Sequence, residues 1–168
     1  MKKEMKALFA EKIKDFRLPR YNELPNVGLY LEQVTKYING FLTPLGWPEI
    51  TSSMVSNYVK KGVILAPQKK QYSKDQLGYL IFISFAKSVL SLENIQKLFE
   101  IQRSTYSPEE AYNYFCSELE NMLFHIAGLN EELGNIGLKN TEEKLVLRSV
   151  IIAVSHIMFI SNCLEEHK

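Results

Sequence analysis

Two cysteines, Cys116 and Cys163, are too few to staple a chain of 168 residues, and they read as reduced thiols in a reducing compartment. The N-terminal Met-Lys-Lys-Glu-Met-Lys is basic but has no apolar core of the signal-peptide kind. Long hydrophobic runs are missing too: the greasiest stretch, Val150 to Ile160, is short for a bilayer crossing and holds His156. These absences lead to the expectation of a cytoplasmic protein with no membrane partner. The signatures of catalysis are equally scarce. There is no GxSxG elbow, no glycine-rich phosphate loop and no cysteine beside an activating group. His125, His156, His167 and the two cysteines show no CxxC or HExxH spacing, and His125 and His156 fall in apolar helices, the setting of structural histidines. The pairs Glu109-Glu110, Glu131-Glu132 and Glu142-Glu143 are adjacent in sequence, and two of the three lie at helix starts, where the helix dipole accounts for them. No enzyme activity, catalytic residue, metal or cofactor is therefore expected.

Present instead is ample material for a core. The chain is 46% hydrophobic, enough for one domain or two small ones. Its net charge of +1 conceals an asymmetry. Residues 1–75 carry 13 Lys/Arg against 7 Asp/Glu, a net of +6, while residues 76–168 carry 7 against 12, a net of −5. A basic half joined to an acidic half directs attention to a polyanionic partner for the first.

Periodicity predicts an almost wholly helical chain. Residues 1–16 form an amphipathic helix with Leu8, Phe9, Ile13 and Phe16 on its apolar side. A second helix runs from about Leu29 to Leu42 and is broken by the Pro/Gly-rich stretch Thr43 to Glu49. Thr51 caps a third, stapled by Ile50 and Val55 and stopped by Gly62. Val63–Leu65 and Gln71-Tyr72 are short extended segments around the turn Ala-Pro-Gln-Lys-Lys, which predicts a β-hairpin. Ser73 opens a capping box with Gln76 for a greasy fourth helix, Ser91 caps a fifth, and Ser107-Pro-Glu-Glu110 starts a sixth that Gly128 closes. The last helix, Thr141 to Leu164, is apolar on nearly all sides between Leu145 and Ile160, as suits a core helix or a seam between subunits.

The helix from Thr51 to Lys61 carries the functional signal. Met54, Val55, Tyr58 and Val59 share one face; Ser52, Ser53, Ser56, Asn57 and Lys60 occupy the other. Hydroxyls, an amide and cations with no carboxylate are the groups that donate to phosphates and read base edges in a major groove. Caps and dipole compensation also place Ser, Thr and Lys at helix ends, so this face alone does not decide the matter. The lysine turn at Lys69-Lys70, directly after such a helix, adds a second phosphate-binding element.

Val55-Ser-Asn-Tyr58-Val-Lys-Lys-Gly62-Val-Ile64, Lys70-Gln-Tyr72-Ser73-Lys-Asp-Gln76, Leu80, Ile83 and Ser91-Leu92-Glu-Asn-Ile95 together resemble the MerR-type winged helix-turn-helix over roughly residues 50–100. More narrowly, Leu18-Pro-Arg-Tyr21 through Asn57-Tyr58-Val-Lys-Lys-Gly62 resembles an uncharacterised ykrK-like bacterial family. Ser56-Asn57 stand where MerR-type recognition helices usually carry Arg-Tyr, and the turn from Thr43 to Glu49 is longer than usual. The resemblance implies a mainly α fold: a MerR-like winged helix-turn-helix with a small β-hairpin wing over residues 18–104, preceded by a helix at 1–17 and followed by an all-α region at 105–168 for dimerisation or an effector.

The resulting expectation is a transcriptional regulator whose helix 51–61 enters the major groove while a wing at 66–71 lies on phosphates. Its DNA-binding residues are Arg20, Ser52, Ser53, Ser56, Asn57, Lys60, Lys61, Lys69, Lys70 and Gln71. Double-stranded DNA, a second copy through the C-terminal helices and an unidentified small-molecule effector are the expected partners. The alternative is a non-catalytic protein-interaction module that keeps the fold without binding DNA, for which the missing arginine and near-neutral total charge speak.

Overall fold

The computed structural model describes residues 2–130 and 141–165. Glu131-Glu132, the glycine-punctuated stretch that ends at Gly137, and His167 lie outside the described residues. Seven α-helices are described: α1 (Lys2–Ile13), α2 (Leu31–Leu42), α3 (Ser52–Lys60), α4 (Lys74–Ala86), α5 (Leu92–Thr105), α6 (Pro108–Ile126) and α7 (Glu142–Glu165). Short 3-10 turns at Tyr21–Glu23 and Thr43–Leu45 complete the order. The chain falls into two compact units, one of residues 19–113 and one of residues 1–18 with 114–168.

The expected β-hairpin wing is absent: no β-strand forms among the described residues, and the fold is all-helical. Only isolated antiparallel bridges occur, Leu29 with Tyr72 and Gln68 with Gln71. Competition explains the difference. Tyr72 exchanges both of its backbone hydrogen bonds with Leu29, at 2.8 and 3.2 Å, and the Leu65 carbonyl is taken by the Gln76 side chain at 2.9 Å. With both arms bonded elsewhere, the turn has nothing to zip into a ladder. Pro67, which lacks an N–H, removes a further donor.

In the unit of residues 19–113, α4 is enclosed on every side. Leu77, Gly78 and Leu80 through Ala86 are all buried, as a helix with so little polar surface requires. Tyr112 packs over Gly78, where an added Cβ would make ordinary van der Waals contact with its ring at 3.4 Å, and the Tyr112 hydroxyl donates to the Pro19 carbonyl at 2.7 Å. The connection between α2 and α3 is pinned at two points. Buried Trp47 stacks on Phe85 and donates its ring N–H to the Ser84 carbonyl at 2.9 Å. The Asn39 amide makes a two-bond clamp on Ile50, donating to its carbonyl at 2.9 Å and accepting from its N–H at 2.8 Å. Tyr21 forms another strap: its hydroxyl donates to Asp75 at 2.5 Å, its N–H donates to Asn113 at 2.9 Å, and Lys74 lies over its ring.

The other unit assembles α1, the later turns of α6 and α7. Phe9 meets Phe159 edge-on with centroids 5.2 Å apart, and the Lys12 ammonium donates to Asn162 at 2.6 Å. The Glu120 carboxylate accepts the Leu18 N–H at 2.9 Å. Buried Glu118 stands 3.0 Å from the Arg148 guanidinium; burial pushes its carboxyl above the usual range, and the arginine only partly opposes that push. α7 spans 24 residues and holds an 18-residue window of mean hydropathy 1.7, long and apolar enough to cross a membrane by length and composition. The apolar helix thus extends well beyond the stretch Val150 to Ile160, which alone is short for a crossing. The core helix of a soluble protein passes the same test, so this property does not decide the helix's setting.

Two outcomes follow from the straps. Asn39→Ala should lower stability by about 1–3 kcal/mol, read as a shift in urea midpoint at constant slope, because both partners on Ile50 lose their bonds. The Asp75 hydrogen bond raises the Tyr21 hydroxyl to about 12, so the folded form holds that proton longer than an unfolded chain does. The stability it contributes is fully present below pH 10 and is lost as pH rises through about 12. Asp75→Asn should return this one tyrosine toward the ordinary range in an NMR titration.

Candidate nucleic-acid interface

The α3 helix is set by local chemistry at both ends. Thr51 accepts the Met54 N–H at 3.2 Å, capping the start. At the other end Gly62, with φ +73°, accepts the left-handed turn; its N–H bonds to Val59 and the N–H of Val63 reaches back to Tyr58. Val55 and Tyr58 are buried, with Met54 and Val59 half-buried beside them. The opposite side presents Ser53, Ser56 and Lys60 fully and Ser52 and Asn57 partly, followed by exposed Lys61. All six sequence-predicted residues of this segment thus share one solvent-facing side. Buried Val63 and Ile64 then anchor the chain before it reaches the lysine turn.

That turn is strained. The Gln71 N–H closes onto the Gln68 carbonyl at 2.9 Å, and the two central residues, Lys69 at φ +49° and Lys70 at φ +64°, are both left-handed. This is the type I′ pattern, for which Asn-Gly is the preferred filling. A left-handed lysine costs about 1–2 kcal/mol relative to the right-handed basin. Lysine at both positions is a choice that local stability does not explain, and such outliers cluster at functional sites. Gln71 is fixed beside Gly28, where an added Cβ would lie 2.7 Å from the Gln71 Cβ.

The electrostatics are one-sided. From Ile50 to Lys74 the sequence holds five lysines and no carboxylate. Among the described residues none of Lys60, Lys61, Lys69 and Lys70 takes part in an ion pair. Arg20 has a different setting. It caps the 3-10 turn at Tyr21–Glu23, its backbone N–H donating to the Glu23 carboxylate at 3.0 Å, and the next residue is tied to Asp75 at the start of α4. Two residues not singled out by the sequence pattern matter here: Lys74, which lies 5.0 Å above the Tyr21 ring, and half-buried Asn39, which positions α3. Elsewhere, His156 is exposed and His125 half-buried, so the structural role expected of His156 is not the one it has. No group of three or more His, Cys, Asp or Glu gathers among the described residues.

Residues 19–115 match the family DUF1836, a domain of unknown function. The chain belongs to this family. No curated protein and no solved structure matches the chain. The DUF1836 segment takes in all of α2 to α5 and every residue of the candidate interface, and it agrees with the resemblance to an uncharacterised family. Nothing in the match speaks for a MerR-type domain.

Replacing Lys69-Lys70 by Asn-Gly should raise stability by about 1–2 kcal/mol, because the substituted pair tolerates the left-handed conformation. Thermal unfolding followed by circular dichroism checks it; an unchanged or lowered midpoint would show that the turn is unstrained.

Proposed function

We propose that this DUF1836 protein is a DNA-binding transcriptional regulator in which α2 and α3 act as a helix-turn-helix. In this reading α3 enters the major groove, and the turn at Gln68–Gln71 lies on the phosphate backbone. The supporting observation is the acid-free stretch Ile50 to Lys74, which presents the polar side of α3 and two left-handed lysines, with four lysines outside any described ion pair. Unpaired cations that release counterions supply affinity, while Ser52, Ser53, Ser56 and Asn57 offer the short donors and acceptors that read bases. The likeness of residues 50–100 to MerR-type sequences supports the helix-turn-helix part of this reading. A second copy, paired through the C-terminal helices, supplies the second half-site that one short helix lacks. Signal input to the helical unit, an unidentified small molecule included, belongs to the same proposal, as does a cytoplasmic location.

One observation favours a different partner. Leu65 is 77% exposed, Val27 72% and Tyr30 52%, and the last two flank Leu29, the residue that pairs with Tyr72 beside the lysine turn. Exposed apolar side chains next to cations also suit a protein partner, and a module that has given up DNA would keep them.

Fluorescence anisotropy with random duplex DNA at several salt concentrations separates the two. Affinity should fall steeply as salt rises, and Lys69→Ala/Lys70→Ala should flatten the log–log slope by roughly 2, near 0.9 per lost phosphate contact. Absence of binding at low salt would exclude the DNA reading in favour of the protein-interaction module.

A further inference from the structure

Among the described residues, none covers one side of α7. Leu145 is 66% exposed, Val146 45%, Ile160 50% and Leu164 64%. Together with Ser149, Ala153, His156 and Ile157 they lie along a single side of the helix, at successive steps of three and four residues. The other side, with Val150, Ile151, Val154, Met158 and Asn162, is buried. From Ser149 to Leu164 there is no Asp, Glu, Lys or Arg. An outward helix face is ordinarily dressed in charge, so an uncharged apolar stripe of this length marks an interface. Its neutrality also sets it apart from the lysine face, since it has nothing to offer a polyanion.

The stripe is complementary to itself in one arrangement. Laid antiparallel on a second copy, about an axis between Ala153 and His156, it sets Leu145 against Leu164, Ser149 against Ile160 and Ala153 against His156. Ser149 then meets Ile160 and Ala153 meets His156, small against large at the centre, with a Leu145–Leu164 contact at each end. A parallel pairing would set Ile160 on Ile160 and Ser149 on Ser149, crowding one level and leaving a gap at another. The antiparallel pair also opposes the two helix dipoles favourably. From this pattern we infer that two copies of the chain associate through the outer face of α7, antiparallel, about a two-fold axis between Ala153 and His156. The inference gives a geometry to the second copy in the proposed function and needs no DNA.

The area sets the strength. A helix of 24 residues is about 36 Å long and about 10 Å wide, so the pair buries on the order of 700 Å² in all. That is below the roughly 1,200 Å² at which stable interfaces begin, so the dimer is a weak one in micromolar exchange with monomer.

Sedimentation velocity on the full chain without DNA, from low to high micromolar concentration, tests this. The wild type should move from monomer to dimer. Ile160→Glu and Leu164→Glu should stay monomeric throughout, with helicity and unfolding midpoint unchanged because both positions face solvent in the monomer. Register is read by cross-linking with a mild oxidant in a Cys163→Ser background. Leu145→Cys with Leu164→Cys should form an inter-chain disulfide, and Leu145→Cys alone should not. A wild type that remains monomeric, glutamate variants that still dimerise, or cross-linking through Leu145→Cys alone would each overturn the inference. Flotation of the protein with phosphatidylcholine vesicles would also overturn it and assign the face to a membrane. Loss of DNA binding with pairing intact leaves this inference standing while removing the DNA reading.

Discussion

The two hydrogen bonds between Asn39 and Ile50, one donated by each, hold the candidate interface in place. A side-chain amide presents an N–H donor and a C=O acceptor side by side in fixed relation, so it pairs with a peptide group as a strand neighbour does. Placed on α2, it grips the backbone one residue before the Thr51 cap. Thr51 then starts α3 at that point, and Val55 and Tyr58 turn inward while the serines and Lys60 turn out. Trp47, buried against Phe85 and bonded to the Ser84 carbonyl, fixes the middle of the same connection on α4. A stretch with two prolines and a glycine thereby becomes a rigid joint.

What was legible in the sequence was what is decided within a turn or two of chain. Thr51, Ser73 and Ser91 cap their helices as read, and Gly62 stops α3, because each of these bonds is made to a near neighbour. What escaped was decided by distant partners. Nothing near Tyr72 says that Leu29 will claim both of its backbone bonds, and the wing was expected for that reason. Asn39 reads as an ordinary polar residue of α2 until Ile50 is brought beside it. The turn at Lys69-Lys70 was visible, but not its handedness, because lysine is a poor marker for positive φ. In α7 the apolar composition was plain, whereas the choice of which side faces outward was made by Phe9, Lys12 and Glu118, residues far away in sequence.

The lysine turn and the α7 stripe are departures from local stability of opposite kinds. One holds cations in a conformation that suits glycine, and the other shows solvent a surface that suits a core. Both costs fall on positions that touch little else in the described protein. They can therefore be retained for what they meet outside the chain without weakening the enclosed α4 helix.

The Leu29–Tyr72 bridge carries a consequence for how the protein assembles. Its two residues are far apart in the chain, with α2, the pinned connection and α3 between them, so closing that loop carries an entropic cost that the ordered helices between its ends reduce. The lysine turn is therefore held in place by a contact distant in sequence. It also depends on a segment that precedes both helices: a fragment beginning after Leu29 keeps the residues that form α3 but loses the backbone that holds the turn. The residues ahead of α2 serve as the splint for a loop that follows α3 in the chain.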